Sequence, residues 1–339
     1  MAQKLRGIEA AAEALIRSGA NLFCLPLSPV LTDLEEYLTC RAADGYGGEI
    51  FTVPSDEEAI QVIFGAAAGS ALAVTATEGA GFQRMLEGLG HLAAAELPGI
   101  ILAVMTGGPG IGSTFPSQHL YRLSTTGGGL PVPVFAPGSV QEMAEQASVA
   151  AELSASLKTP VVLLVDSALA RITDTVDLEK AGIQNVGEAL QEQSRIRVIT
   201  AYTNRSDGLD RDRRVTGKLE QMRTINPFVS VGDSDPDVLL IGFGSIARAA
   251  EASLPLIGNA GFSARLMRLR VLSPFPEGAV ASEVESAKST LVVELNTGQM
   301  VNDVRACAGK SSIDGIALPS QDIPLPEELA KLILEAMGR

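Results

Sequence analysis

The chain has 339 residues, of which 46% are hydrophobic but only 4% aromatic, with no tryptophan and a net charge of −14. That length supports two domains or one large one, with a core of Ala, Val, Leu and Ile suited to helices packed on a parallel sheet. The acidic balance, with no local Lys/Arg cluster against it, excludes nucleic-acid binding, and no apolar run nears the roughly 20 residues of a membrane span.

The segment from Met1 to Leu15 carries Lys4, Arg6, Glu9 and Glu13 and does not read as a signal peptide. The three cysteines, Cys24, Cys40 and Cys307, lack CxxC or metal-ligand spacing, so a cytoplasmic location is expected. Gly7 to Ser18 forms a helix with Ile8, Ala11, Ala12, Leu15 and Ile16 on one face, closed by Gly19. A buried strand covers Asn21 to Pro26, a helix Thr32 to Cys40, and a strand Glu49 to Val53. Ser55 caps a helix running to about Ala68, with Glu58 three residues on as a capping-box partner. Ala71 to Thr77 is a strand, Gly81 to Ala95 a helix, and Ile100 to Met105 and Val132 to Ala136 strands. Helix Ser139 to Leu157 and strand Pro160 to Asp166 complete a doubly wound α/β unit.

From Ala168 to Val231 the pattern weakens, and the charged stretch Thr203 to Lys218 reads as a linker or a long solvated excursion. A second α/β unit starts with strand Val238 to Ile241 and a helix from Ile246 to about Leu256. Strands Ala264 to Leu269 and Leu291 to Leu295 follow, and Pro326 at N1 opens a terminal helix. The expected division is 1–170, a linker 171–232, and 233–339.

Chemistry is expected first in the loop Met105 to Gln118, which holds four glycines and two prolines after the apolar run Pro98 to Val104. Ligands of open α/β sheets bind beyond the carboxyl ends of strands, and glycines there let backbone N–H groups approach them. Ser28 lies between Pro26 and Pro29, which aim its hydroxyl, although an ordinary turn serine has the same context. Asp56, Glu57 and Glu58 complement a helix dipole, and one of them also suits a cleft-facing hydrogen bond to a ligand ring. Thr75 to Gly81 runs from a strand through a glycine turn into a helix, where Glu78 disfavours a phosphate. Gly242-x-Gly244 is a weak dinucleotide signal, because the next strand carries Arg265, Arg268 and Arg270 instead of an acid.

Taken in order, several segments resemble the α subunit of 2-oxoacid:ferredoxin oxidoreductases. They are Gly7-x-Glu9-Ala10, Leu25-Pro26-Leu27-Ser28-Pro29, Thr75-Ala76-Thr77-x-Gly79-x-Gly81-Phe82, Gly107-Gly108-Pro109-x-x-Gly112 with Pro116-Ser117-Gln118, Ala136-Pro137-x-Ser139-Val140-Gln141-Glu142, Thr159-Pro160-Val161 and Glu294-Leu295-Asn296-x-Gly298-Gln299. The resemblance implies a thiamine-diphosphate pyrimidine-binding-like domain followed by a transketolase C-terminal-like domain. It implies oxidative decarboxylation of a 2-oxoacid to an acyl-CoA, with electrons passed to ferredoxin. No GDG motif is present and three scattered cysteines cannot hold iron–sulfur clusters. The diphosphate, its Mg2+ and the clusters would therefore lie in a β subunit and in γ- and δ-type subunits, with CoA as cosubstrate.

Carried over residue by residue, the resemblance places catalysis at Ser28 and Asp56 and the cofactor against Pro26, Asp56, Glu57, Thr77, Glu78 and Gly79. It places the substrate against Ser28, Thr106, Gly107 and Gly108, with no metal ligand in this chain. Asp56 falls where the family has the glutamate that meets the aminopyrimidine N1′, with Glu57 as the alternative. Thr106 stands where the family has an arginine for the substrate carboxylate, Ser28 where it has threonine, and Glu78 where it tends to have serine. Three consequences are open: an atypical substrate, a cation supplied by another residue, or lost catalysis. A non-oxidative thiamine-dependent decarboxylase or transferase half, and a degenerate scaffold subunit, are the alternatives.

Overall fold

The computed structural model describes residues 2–107, 117–192, 198, 204–223, 225–309, 313–319 and 322–338. Its main sheet runs Val271–Ser273, Val134–Phe135, Pro160–Asp166, Gly99–Met105, Ala73–Glu78, Leu22–Pro26, Glu49–Val53 from edge to edge. All neighbours are parallel except Val271–Ser273, which pairs antiparallel to Val134–Phe135. The two central strands, Gly99–Met105 and Pro160–Asp166, are buried along their whole length, as continuous apolar runs in a two-faced parallel sheet require.

The strand period of two sorts these side chains onto opposite faces. Ile100, Leu102 and Val104 pack with Leu15 of helix Gly7–Arg17 and with Met143 and Ala147 of helix Val140–Leu157. Ile101, Ala103 and Met105 pack with Ile60 of helix Asp56–Ala68 and with Phe82 and Met85 of helix Gly81–Ala94. From Leu22–Pro26 the chain crosses to the outer strand Glu49–Val53, then returns to Ala73–Glu78 on the other side. The winding therefore reverses between Leu22–Pro26 and Ala73–Glu78, and their carboxyl ends border the crevice where such sheets bind ligands.

The second unit has a five-stranded sheet, Ile313–Ala317, Ser289–Glu294, Val238–Phe243, Ala264–Leu269 and Phe228–Gly232, the last antiparallel. Ala2–Arg6 and Thr173–Asp177 form a separate two-stranded antiparallel ladder. Neither the ladder nor the edge strands Phe228–Gly232 and Ile313–Ala317 stood out in the sequence. The charged stretch expected as a linker or a long solvated excursion is mostly an 18-residue helix, Arg205–Met222, capped by the Asn204 side chain. Arg211 reaches the Ala94 carbonyl, and Lys218 and Arg214 pair with Glu96. Docking on the first unit therefore supplies what the sparse apolar content does not.

The units are joined by polar contacts. Arg268 makes a two-pronged pair with Glu142, at 2.7 and 2.8 Å, with both side chains nearly buried. Gln118 donates to the Phe243 carbonyl and exchanges hydrogen bonds with the backbone of Leu295. Asp166 accepts from Ser245 N at the start of helix Gly244–Asn259, beside Gly244 at φ +61°.

Burial raises the Glu142 pKa, but the Arg268 hydrogen bond and charge and the Gly138 amide outweigh it, leaving the carboxyl below its ordinary 4.5. A depressed folded-state value contributes stability above the unfolded value, and that contribution is lost as pH falls through the folded one. Glu142→Gln should therefore cost about 3–5 kcal/mol at neutral pH by leaving Arg268 unpaired. The gap to wild type should close below about pH 4.5. Urea unfolding at several pH values measures both effects, and a pH-independent gap would contradict the ion-pair account.

Candidate active site

Four of the expected residues meet at the switch-point crevice. Ser28 caps the single helical turn Pro29–Leu31, accepting from Val30 N at 3.2 Å, and its hydroxyl donates to Glu78 Oε1 at 2.7 Å. The Thr106 hydroxyl, just past strand Gly99–Met105, donates to Glu78 Oε2 at 3.2 Å. Glu78 thus binds both hydroxyls, and no described residue forms an ion pair with it. Pro26 is buried at the end of its strand, two residues before Ser28.

Asp56 opens helix Asp56–Ala68 behind the Ser55 cap, which accepts from Glu58 N at 3.3 Å. Its side chain is buried, while Glu57 is half-exposed. Thr77 donates to Asp56 Oδ1 at 2.7 Å and Arg84 to Oδ2 at 2.9 Å. Helical geometry turns consecutive side chains to different directions, so only one of the acidic pair faces inward. A carboxylate with two donors in place still has lone pairs for a third.

Between the two carboxylates lies the turn Gly79–Gly81. Gly79 has φ +42°, and a Cβ on it would come 3.2 Å from the Thr106 carbonyl and hydroxyl oxygens. A Cβ on Gly81 would overlap both Asp56 carboxylate oxygens and sit 2.6 Å from Thr77 Oγ1. Without a Cβ, Gly81 lets the Asp56 carboxylate pack directly against its backbone, and Gly79 lets Thr106 approach in the same way.

Gly107 has φ +62°, and Gly108, with the loop through 116, lies outside the described residues. His119 ties the two described feet of that loop, bonding to Ser117 Oγ at 2.9 Å and to the Gly107 backbone. Burial lowers its pKa below 6.5 despite the Gly107 bond, so the ring is neutral at pH 7. The sequence reading missed His119 and Arg84 in these roles. For Arg84 a signal existed: it is the one Lys or Arg in helix Gly81–Ala94, one turn past the glycine pair. Among the described residues no cluster of three or more His, Cys, Asp or Glu is placed to hold a metal ion, and no helix is long and apolar enough to cross a membrane.

Residues 16–226 match the thiamine-diphosphate-binding domain of the pyruvate flavodoxin/ferredoxin oxidoreductase family, and residues 236–321 match pyruvate:ferredoxin oxidoreductase core domain II. The 2-oxoglutarate synthase subunit KorA of Archaeoglobus fulgidus is 30% identical over 97% of both chains. The ketoisovalerate oxidoreductase subunit VorB of Methanothermobacter marburgensis is 26% identical over 86% of this chain and 85% of its own. In fold, the chain superposes with a TM-score of 0.89, at 20% identity, on the 2-oxoglutarate:ferredoxin oxidoreductase of Magnetococcus marinus, solved with 2-oxoglutarate, coenzyme A and succinyl-CoA bound. That alignment covers 99% of this chain and 65% of the Magnetococcus chain. A split-gene transketolase shares the fold at a TM-score of 0.61. The chain belongs to the 2-oxoacid:ferredoxin oxidoreductase family, as an alpha-type subunit built from its thiamine-diphosphate-binding domain and core domain II.

Proposed function

We propose that this chain supplies the aminopyrimidine wall and part of the substrate pocket of a complex that oxidises a 2-oxoacid. A β subunit would bring the diphosphate site and Mg2+, and γ- and δ-type subunits the iron–sulfur clusters. The overall reaction converts a 2-oxoacid anion and CoA to acyl-CoA, CO2 and the thiol's proton, and the two electrons released reduce two ferredoxins. The observation that carries this reading is the buried Asp56 carboxylate, held by Thr77 and Arg84 at the mouth of the sheet and packed against the Gly81 backbone.

These residues fit the pyrimidine end of thiamine diphosphate: one inward carboxylate, glycine backbone packed beside it and a Thr77 hydroxyl that fixes the acid's orientation. They do not suit the diphosphate end, because Glu78 opposes an anion. When bound, thiamine diphosphate supplies a carbanion-like nucleophile and a sink for the electrons left by decarboxylation. Asp56 would share a proton at the pyrimidine N1′. Pro26, Gly79 and Thr77 would shape the wall, and Glu57 borders it from solvent. Ser28, Thr106 and Gly107 line the substrate side.

Thr106 carries no charge, and its hydroxyl is engaged by Glu78. Substrate selection here should therefore differ from that of members with a cation at this position. The same feature favours a second reading, the non-oxidative thiamine-dependent half. Purifying the chain with its native partners and assaying thiamine diphosphate, iron and subunit masses separates these readings. Thiamine with an iron-rich partner is the expected result. Thiamine without iron would favour the second reading, and a cofactor-free assembly would leave a scaffold role.

A further inference from the structure

Glu78 ties together the carboxyl ends of three neighbouring strands. It closes strand Ala73–Glu78, and its two oxygens take the hydroxyls of Ser28 and Thr106 at 2.7 and 3.2 Å. Ser28 lies just past strand Leu22–Pro26 and Thr106 just past strand Gly99–Met105, which flank Ala73–Glu78 on either side. Consecutive residues of a strand face opposite ways, so Thr77 turns to Asp56 and Glu78 turns away from it. The crevice therefore has two separate carboxylate clusters, one at Asp56 and one at Glu78.

This bonding fixes what the second cluster can offer a ligand. A hydroxyl has one proton to donate and two lone pairs. Ser28 spends its proton on Glu78 and a lone pair on Val30 N, and Thr106 spends its proton on Glu78. Both hydroxyls are left with acceptor capacity alone. No cation offsets the charge. Among the described residues no Lys or Arg pairs with Glu78, and Arg84 is engaged by Asp56, with Glu57 at 3.7 Å. Residues 105–118 include no Lys, Arg or His, and His119 after them is neutral at pH 7. A ligand carboxylate placed here would meet a like charge and no free hydroxyl donor, in a setting where partial burial strengthens the repulsion.

We propose that Glu78 is a specificity-determining residue, which makes this wall accept hydrogen bonds and repel anions, so that the complex takes 2-oxoacids with an uncharged side chain in preference to dicarboxylic ones. The proposal rests on the functional reading above, which sets Ser28 and Thr106 on the substrate side. Each negative charge on the substrate is penalised, and a second carboxylate adds to the penalty of the first.

The test uses the assembled complex with Glu78→Gln, which removes the charge and keeps the shape, and Glu78→Ser, which also frees both hydroxyls. KM and kcat are measured for 2-oxoglutarate, pyruvate and 2-oxoisovalerate, and inhibition by pyruvamide serves as the uncharged probe. The wild-type complex should favour 2-oxoisovalerate over 2-oxoglutarate by about tenfold or more in kcat/KM. Both variants should lower KM by about tenfold for 2-oxoglutarate and about threefold for the two monoanions, and shift the pyruvamide constant by less than about twofold. A wild-type preference for 2-oxoglutarate, or a change that is absent or equal for charged and uncharged ligands, would overturn the assignment. Calorimetric titration should show unchanged thiamine diphosphate affinity in both variants, and its loss in both would place Glu78 on the cofactor and overturn the assignment too. A wild-type complex that neither binds thiamine diphosphate nor turns over any 2-oxoacid would overturn the functional reading, and this proposal with it. A complex that turns over 2-oxoacids with the same charge preference in wild type and Glu78→Gln overturns this proposal alone.

Discussion

Asp56→Ala in the assembled complex is expected to slow exchange of the thiamine C2 proton for deuterium by about 10²–10⁴-fold, the usual contribution of a positioned acid–base group. Asp56 is the inward member of an acidic pair, buried at the carboxyl edge of the sheet and oriented by Thr77 and Arg84. Glu57 cannot replace it from its half-exposed position on the next helical residue. Alanine removes the carboxylate while retaining the Ser55 cap, so subunit assembly should be unchanged. Asp56→Glu keeps the acid but shifts it by one methylene, so it should recover only part of the rate lost in the alanine variant. An undiminished rate in the alanine variant would remove Asp56 from this role.

Gly81→Ala should produce the second-largest loss, although it replaces no ionisable residue. The added Cβ would overlap both Asp56 oxygens and crowd the Thr77 hydroxyl that orients them. Displacing a catalytic group by about 1 Å can cost on the order of 10²-fold in rate. Gly81 does not have a positive φ and opens a helix, so alanine is acceptable to the local backbone. Gly65→Ala, in open space on helix Asp56–Ala68, is the control and should leave the exchange rate unchanged. Full exchange in Gly81→Ala would mean that Asp56 yields to the methyl group without losing its working position.

The strands Gly99–Met105 and Pro160–Asp166 were legible because burial on both faces demands unbroken apolar runs. Helix starts were legible where a side chain acts within three residues, as Ser55 and Ser139 do on Glu58 and Glu142. Helix Arg205–Met222 was not, because its anchors, the Ala94 carbonyl and Glu96, lie over a hundred residues away. Strand Val271–Ser273 was hidden for a related reason. It follows directly on strand Ala264–Leu269, yet Arg270 and Val271 both donate to the Pro227 carbonyl, and the chain passes to the other unit's sheet.

By itself the sequence determined the alternation of helices and strands, the glycine turns after strands and the residues that carry the family resemblance. These follow from local propensity and hydrophobic period, which act over a few neighbouring residues. Tertiary structure alone decided which of Asp56 and Glu57 faces the crevice, that Glu78 takes up both Ser28 and Thr106, and that Arg84 stands beside Asp56. Those outcomes depend on which strand ends the doubly wound sheet brings together, and charges and hydrogen bonds act over ångströms in space, not over positions along the chain.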